Sequence, residues 1–350
     1  MLVGSINVLG LANMNNRPKQ SSWRGGLKII IGIIAKTITA VWLIVGLNIG
    51  GSAHEEYSDK ATKLLSVADA KLALGRKLFT DMNLSADSSV SCATCHDPEY
   101  SYTSSQAIPA GAGGHIGSRR PPSLLDIASK PALFWDGRMH GLERQALYPM
   151  IALNEMGNSI QAVEAYVSSN PEYQRLFEQI NGTKKVSIVD ISHAIAAFER
   201  SIVSEKSAFE RYYLDGDNLA ISQSASRGWQ LFQTKAGCIQ CHIYSLKNQY
   251  FTDHEYHNTA VGRQDDKKDL GRFYSTINID DRGKFRTASL REVGGRKPYM
   301  HDGSIQTLRA VVEHYNNINI KETNHKTPIL RELNLSSEEV EDLVAFLGTI

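Results

Sequence analysis

The chain has 350 residues, enough for two domains with cores of their own. At 42% hydrophobic and 21% charged residues it is ordinary globular material, neither disordered nor wholly embedded in a membrane. The net charge of +1 gives no footing for a nucleic-acid partner.

The first 53 residues carry Arg17, Lys19, Arg24, Lys28 and Lys36 and no acidic residue. The basic stretch from Arg17 to Lys28 leads into an apolar run, Ile29 to Ile49, broken by Lys36 alone. The run ends in Gly50-Gly51-Ser52-Ala53, small residues suited to signal-peptidase cleavage. Residues 1–53 therefore read as an export signal. An uncleaved anchor is the competing reading, since a run of about twenty residues can span a bilayer. Either way the expected location is the bacterial periplasm, soluble or tethered to the inner membrane.

From about Leu64 the pattern is that of a folded chain. Leu72, Leu74, Leu78 and Phe79 share one face of a predicted helix, which the turn-rich segment from Asp81 to Ser89 ends. Cys92-Ala93-Thr94-Cys95-His96 follows, and Cys238-Ile239-Gln240-Cys241-His242 repeats its spacing. The two runs contain all four cysteines of the chain. C-x-x-C-H is the attachment signature of c-type haem. The thiols add across the haem vinyl groups and the adjacent imidazole ligates iron. A thioredoxin-like pair would not need the histidine, and a zinc site would need further ligands at each motif. Two covalently bound c-type haems are expected, with Cys92, Cys95 and His96 holding one and Cys238, Cys241 and His242 the other.

The repeat extends beyond the cysteines. Gly75-Arg76-Lys77-Leu78-Phe79 is echoed by Gly228-Trp229-Gln230-Leu231-Phe232. Each half closes on an amphipathic helix, marked by Ile191, Ile195, Phe198 and Ile202 in one and Val340, Leu343, Val344 and Leu347 in the other. Helix, C-x-x-C-H, long loop and closing helix resembles a class I cytochrome c domain. The expected fold is mainly α with little β: two such haem domains in tandem, 54–213 and 214–350. A connector rich in Ser, Asp, Gly and Asn, Leu214 to Ser226, separates the two repeats. The first half has a long insert between Asp97 and Met156, and long ordered loops tend to be functional.

With the insert in view, the chain resembles the bacterial dihaem cytochrome c peroxidase and MauG family from about Leu72 to the C-terminus. The resemblance rests on both C-x-x-C-H runs, Phe134–Arg138, Asn154-Glu155-Met156, Asp281-Arg282-Gly283, Thr287–Arg291 and Pro298–Gly303. It implies reduction of hydrogen peroxide at the N-terminal haem, with His96 as proximal ligand and the opposite face open or able to open. Glu155 matches the distal carboxylate that moves a proton between the peroxide oxygens. Pro149 matches a residue restricting that distal pocket, and Trp135 matches the indole between the haems. His115 lies in the loop where some relatives carry a displaceable distal histidine; it is that ligand or a loop histidine. Electrons would come through the C-terminal haem from a cytochrome c, a cupredoxin or a protein substrate. A second copy of the chain, as a homodimer, is a further partner left open.

On the C-terminal haem the resemblance places the second ligand fourteen residues past His301, at Tyr315, the position that is methionine in the peroxidases and tyrosine in MauG. An anionic phenolate would favour ferric and higher states, so reaction with peroxide is expected from the diferric form. The neighbouring His314 points about 100° round the helix and would face elsewhere. Two departures stand out. Relatives place an asparagine on a calcium ion between the haems, where this chain has Arg120; a cation cannot ligate calcium but could replace its charge, with the carbonyls of Arg296 and Pro298 left for an ion. MauG also passes oxidation through a surface tryptophan where this chain has Ala236, which speaks against that route. The non-enzymatic alternative is a dihaem electron carrier with two six-coordinate haems.

Overall fold

The computed structural model describes residues 51–262, 269–318 and 329–350. The apolar run from Ile29 to Ile49 lies outside the described residues, and among these no helix is long and apolar enough to cross a membrane.

Nine helices of two turns or more carry the described chain. They are α1 (Gly51–Thr80), α2 (Leu142–Ile151), α3 (Ile160–Ser169), α4 (Pro171–Asn181) and α5 (Ile188–Arg200), then α6 (Ala208–Asp215), α7 (Gln223–Gln233), α8 (Leu308–Asn316) and α9 (Ser337–Leu347). Among the described residues, sheet is confined to two residues a side, β1 (Tyr256–His257) antiparallel to β2 (Phe285–Arg286), in register Tyr256 with Arg286 and His257 with Phe285. The fold is mainly helical, as the periodicity predicts.

The helix starts follow from their caps. Ser187 and Asp190 form a reciprocal capping box on α5, and Ser336 and Glu339 do the same on α9, each satisfying two amide donors that the first turn leaves free. Ser222 caps α7 by accepting from the Ala225 amide. Gln223 to Ser226, expected as connector, are therefore the first turn of that helix. A serine at the cap outweighs the low intrinsic helicity of the polar residues after it. The true break is Gly216, at φ +74, which ends α6.

Residues Lys63–Ile350 form one unit. Within it are two hydrophobic clusters, the first running from Leu74 to Ile202 and the second from Phe209 to Ile350. The same crossing builds both. In the first, a Cβ on Gly75 would stand 2.0 Å from the Ala194 carbonyl oxygen and 2.9 Å from Phe198 Cβ. In the second, a Cβ on Gly228 would stand 1.9 Å from the Asp342 oxygen and 2.8 Å from Phe346 Cβ. Each entering helix thus touches its closing helix backbone to backbone. Aromatic pairs lock the crossings: Phe79 meets Phe198 edge-on at 5.1 Å, and Phe232 meets Phe346 at 5.1 Å.

Because the obstacle is main chain, a methyl group at either glycine must push the helices apart. Gly75→Ala and Gly228→Ala are each expected to cost about 2–3 kcal/mol, read as a lower urea midpoint at unchanged slope. An unaltered midpoint in both would show that the crossings are looser than this.

Candidate functional site

Each C-x-x-C-H run winds into a single turn that presents its reactive groups to one cavity. In both, the histidine amide donates to the carbonyl of the first cysteine at 2.9 Å. Each imidazole is fixed in the same way: Nδ1 lies 3.0 Å from the Tyr102 carbonyl in His96 and 2.9 Å from the Phe251 carbonyl in His242. A carbonyl accepts only, so Nδ1 carries the proton and Nε2 keeps its lone pair for a ligand role. Tyr102 and Phe251 have positive φ, +56 and +53, which turns those carbonyls inward. Burial holds both imidazoles below their ordinary pKa, His96 down to about 4, so they stay neutral.

His96, Cys92 and Cys95 line a first chamber of about 430 Å³, with Glu155, Pro149, Arg138 and Trp135 on its other walls. His242, Cys238 and Cys241 line a second chamber of about 260 Å³, with Tyr315, Met300 and His301. Trp135 lines both, as do Arg120 and Pro122. Its indole Nε1 donates to the Arg120 carbonyl at 2.7 Å, which pins the ring at the seam.

Glu155 follows α2 in a chain that folds back on the helix, its amide donating to the Ala152 carbonyl at 2.9 Å. Its own carbonyl accepts from Ala112 at 2.7 Å, so the insert loop holds it in place. Burial raises the Glu155 carboxyl above the usual range, and the Arg138 charge pulls it partway back. Tyr315 reaches the second chamber from α8, where burial pushes its phenol up to about 12. His314 is absent from the lining; its Nε2 lies 2.9 Å from the Thr259 carbonyl. His115 reaches neither chamber. It is exposed at the end of a turn in which Gly113 and Gly114 have φ of +65 and +75 and the Gly111 amide donates back to the His115 carbonyl at 2.7 Å.

The structure surrounds Arg120 with three further cations that motif reading passes over. Arg120, Lys130, Arg286 and Arg296 all line the second chamber at the seam. Arg120 and Arg286 are 6% and 5% exposed, and the Nε atoms of Arg120, Arg286 and Arg296 are buried without a hydrogen-bond partner. Desolvation lowers the pKa of all four, Arg120 and Arg296 to about 10. Guanidiniums left so poorly paired call for anions in the chamber. The internal repeat could have found them. Residues 120–150 and 286–316 run in unbroken register, pairing Arg120 with Arg286, Lys130 with Arg296, Trp135 with His301 and Pro149 with Tyr315.

Gly111 sets the Glu155 wall. A Cβ there would meet the Glu155 carbonyl oxygen at 2.3 Å and that of Asn154 at 2.7 Å. Gly111→Ala is expected to cost about 1–3 kcal/mol in a urea titration and to lower peroxide turnover by displacing Glu155. Gly294→Ala, whose Cβ would meet nothing nearer than 3.5 Å, is the control. Equal behaviour of the two variants would free Glu155 from this constraint.

Comparison with known proteins agrees with this arrangement. Residues 69–219 match the family model described as di-haem cytochrome c peroxidase. The chain is 38% identical to the methylamine utilization protein MauG of Methylorubrum extorquens, over 80% of this chain and 78% of that protein. It is 33% identical to the cytochrome c551 peroxidase of Nitrosomonas europaea, over 79% and 78%. Among solved structures, a MauG-like protein associated with microbial copper homeostasis superposes with a TM-score of 0.71 at 29% identity, covering 80% of this chain and 88% of the other. Two histidine-lined chambers meeting at one indole are thus the frame of a haem oxidoreductase, and the chain belongs to the dihaem cytochrome c peroxidase and MauG family.

Proposed function

We propose that this protein is a periplasmic peroxidase with two tandem c-type haem domains that reduces hydrogen peroxide in the first chamber. The observation that carries the reading is that both C-x-x-C-H turns open on chambers sharing Trp135. The residues fit the cofactor: paired thiols beside a neutral imidazole for attachment, and guanidiniums whose buried Nε atoms have no partner for the propionates. Cys92 and Cys95 hold one haem and Cys238 and Cys241 the other, with His96 and His242 as ligands through Nε2 and Tyr315 as the second ligand in the C-terminal chamber. When bound, haem iron supplies the peroxide-binding and electron-accepting chemistry.

The protein supplies the proton traffic. Glu155, with its carboxyl raised by burial, can take the proton from one peroxide oxygen and return it to the other, so that water leaves. Pro149 occupies in the first chamber the repeat position that Tyr315 holds in the second, and a pyrrolidine ring offers no ligand atom. The first chamber is left open to substrate while the second is closed by a phenol. Trp135 bridges the gap between the chambers, and electrons arrive from a small cytochrome, a cupredoxin or an oxidisable partner protein. Ala236 is buried in the second core, which disfavours export of oxidation through that position.

Arg120 stands in for a divalent ion at the seam. Its guanidinium donates to the Ser104 carbonyl at 2.7 Å and to the Arg296 carbonyl at 3.2 Å, occupying one of the two carbonyls left for an ion. Chelation with EDTA is expected to leave activity unchanged; loss on chelation with recovery on adding calcium would refute this.

The diferric protein, mixed with one equivalent of peroxide, should change its absorption without prior reduction. Glu155→Gln should slow that step by about 10²–10⁴-fold. Activity only after reduction, with the ferric protein inert, would overturn the phenol-ligated reading.

A further inference from the structure

The first chamber holds a second carboxyl that the proposed chemistry leaves unused. Glu199 lies on α5 one turn beyond Ile195, and both side chains line the chamber. It is 5% exposed, and its Oε2 is buried with no hydrogen-bond partner. A glutamate on an otherwise apolar helix face costs free energy there whether it is ionised or neutral. The surrounding charges relieve it only in part. Arg200, the next residue, is drawn away to Glu143 of α2 at 2.5 Å, with His193 near the same carboxylate. From α1, the Arg76 guanidinium lies 5.5 Å over the Phe198 ring. On the chamber wall Glu199 acts on Cys92, which attachment turns into an uncharged thioether, and Cys95, His96, Arg138 and Glu155 line the same chamber. Burial pushes the Glu199 carboxyl up to about 8, with Arg200 acting against it and Glu143 with it.

We propose that Glu199 is the charge-compensating proton site of the first chamber, taking up one proton when the haem attached at Cys92 and Cys95 is reduced and releasing it on reoxidation. The inference rests on the haem attachment proposed above. One electron enters the ferric haem from the donor protein, or from a mediator dye in a titration. One proton from solvent joins the Glu199 carboxylate, so the charge of the chamber is unchanged. In a medium of low dielectric an uncompensated added charge is expensive, and a carboxyl poised near neutrality is the group able to offset it. Glu155 serves the peroxide oxygens, and Glu199 serves the electron.

The test is a spectroelectrochemical titration of the two-haem protein from about pH 6 to about pH 9, bracketing the Glu199 pKa. Where Glu199 is already neutral in the oxidised state, the first haem's midpoint should not depend on pH. At higher pH the reduction equilibrium should fall tenfold per pH unit. Glu199→Gln, neutral at every pH, should abolish the slope, and Glu155→Gln should keep it. A slope that survives Glu199→Gln, or no slope in the wild type, overturns the proposal. Should Glu199→Gln fail to fold, infrared difference spectra of the Glu155→Gln protein with labelled glutamate decide. Recorded at about pH 9, above the Glu199 pKa, a protonated carboxyl band gained on reduction supports the proposal and its absence refutes it. A preparation with fewer than two attached haems would instead refute the attachment reading beneath it.

Discussion

The constraint on which the rest depends is the gathering of four cations at the seam between the chambers. Arg120, Lys130, Arg286 and Arg296 are held there by carbonyls more than by carboxylates. Lys130 Nζ donates to the Ser123 carbonyl at 2.8 Å, and the Arg296 guanidinium to that of Ser289. A desolvated cation without a charged partner costs several kcal/mol even after relaxation. A chain that accepts that cost four times, with three Nε atoms left over, has its charge balance completed by something it binds. Propionates of two haems have the right charge and planar geometry for guanidinium forks. Cofactor binding and closure of the seam would then be one thermodynamic event, since any group bound only by the folded state stabilises it.

Around that seam the two repeats are joined by a reciprocal pair of main-chain bonds. The Arg120 amide donates to the His301 carbonyl and the Arg286 amide to the Trp135 carbonyl, both at 2.7 Å. Each residue has its repeat equivalent in the other bond, so the joint is a local pseudo-twofold. Trp135 and His301 face one another across it, ring centroids 6.5 Å apart, and His301 stacks on Phe285 at 3.6 Å. Symmetry of the frame makes the asymmetry of the contents meaningful. Among the differences between the chambers are two at paired positions, Pro149 against Tyr315 and Trp135 against His301. One ancestral geometry can thus hold one open site and one closed site.

Legibility in the sequence followed locality. The C-x-x-C-H turns were readable because thiols and imidazole must be neighbours in the chain to meet one porphyrin. The closing helices were readable because Ile191, Ile195 and Phe198 keep helical period. Tyr315 came from the family resemblance, counted fourteen residues on from His301, and its side chain lines the second chamber. Of the cations, Arg120 was legible from the resemblance, but Lys130, Arg286 and the side chain of Arg296 say nothing until the repeat aligns them. Glu199 was hidden for a related reason. It follows Phe198 on a helix read from its apolar positions, and only packing against α1 and α2 decides that it turns inward. His115, left open between a ligand and a loop histidine, sits on the tight turn that Gly113 and Gly114 allow and lines neither chamber.

The pairing of Pro149 with Tyr315 bears on why the second chamber would store oxidising equivalents. A phenol pushed up to about 12 by burial stays protonated at neutral pH in the protein alone. Only a strong local positive charge could ionise it, and a ferric centre is such a charge, as bound metal ions are for other ligands. The coupling runs both ways: whatever favours the phenolate favours the oxidised metal, and reduction returns the phenol towards neutrality. A thioether in that place would have no proton to lose and would favour the reduced metal instead. On the proposed ligand set, burial of one tyrosine therefore ties the redox poise of the second chamber to a proton, as Glu199 is inferred to do in the first.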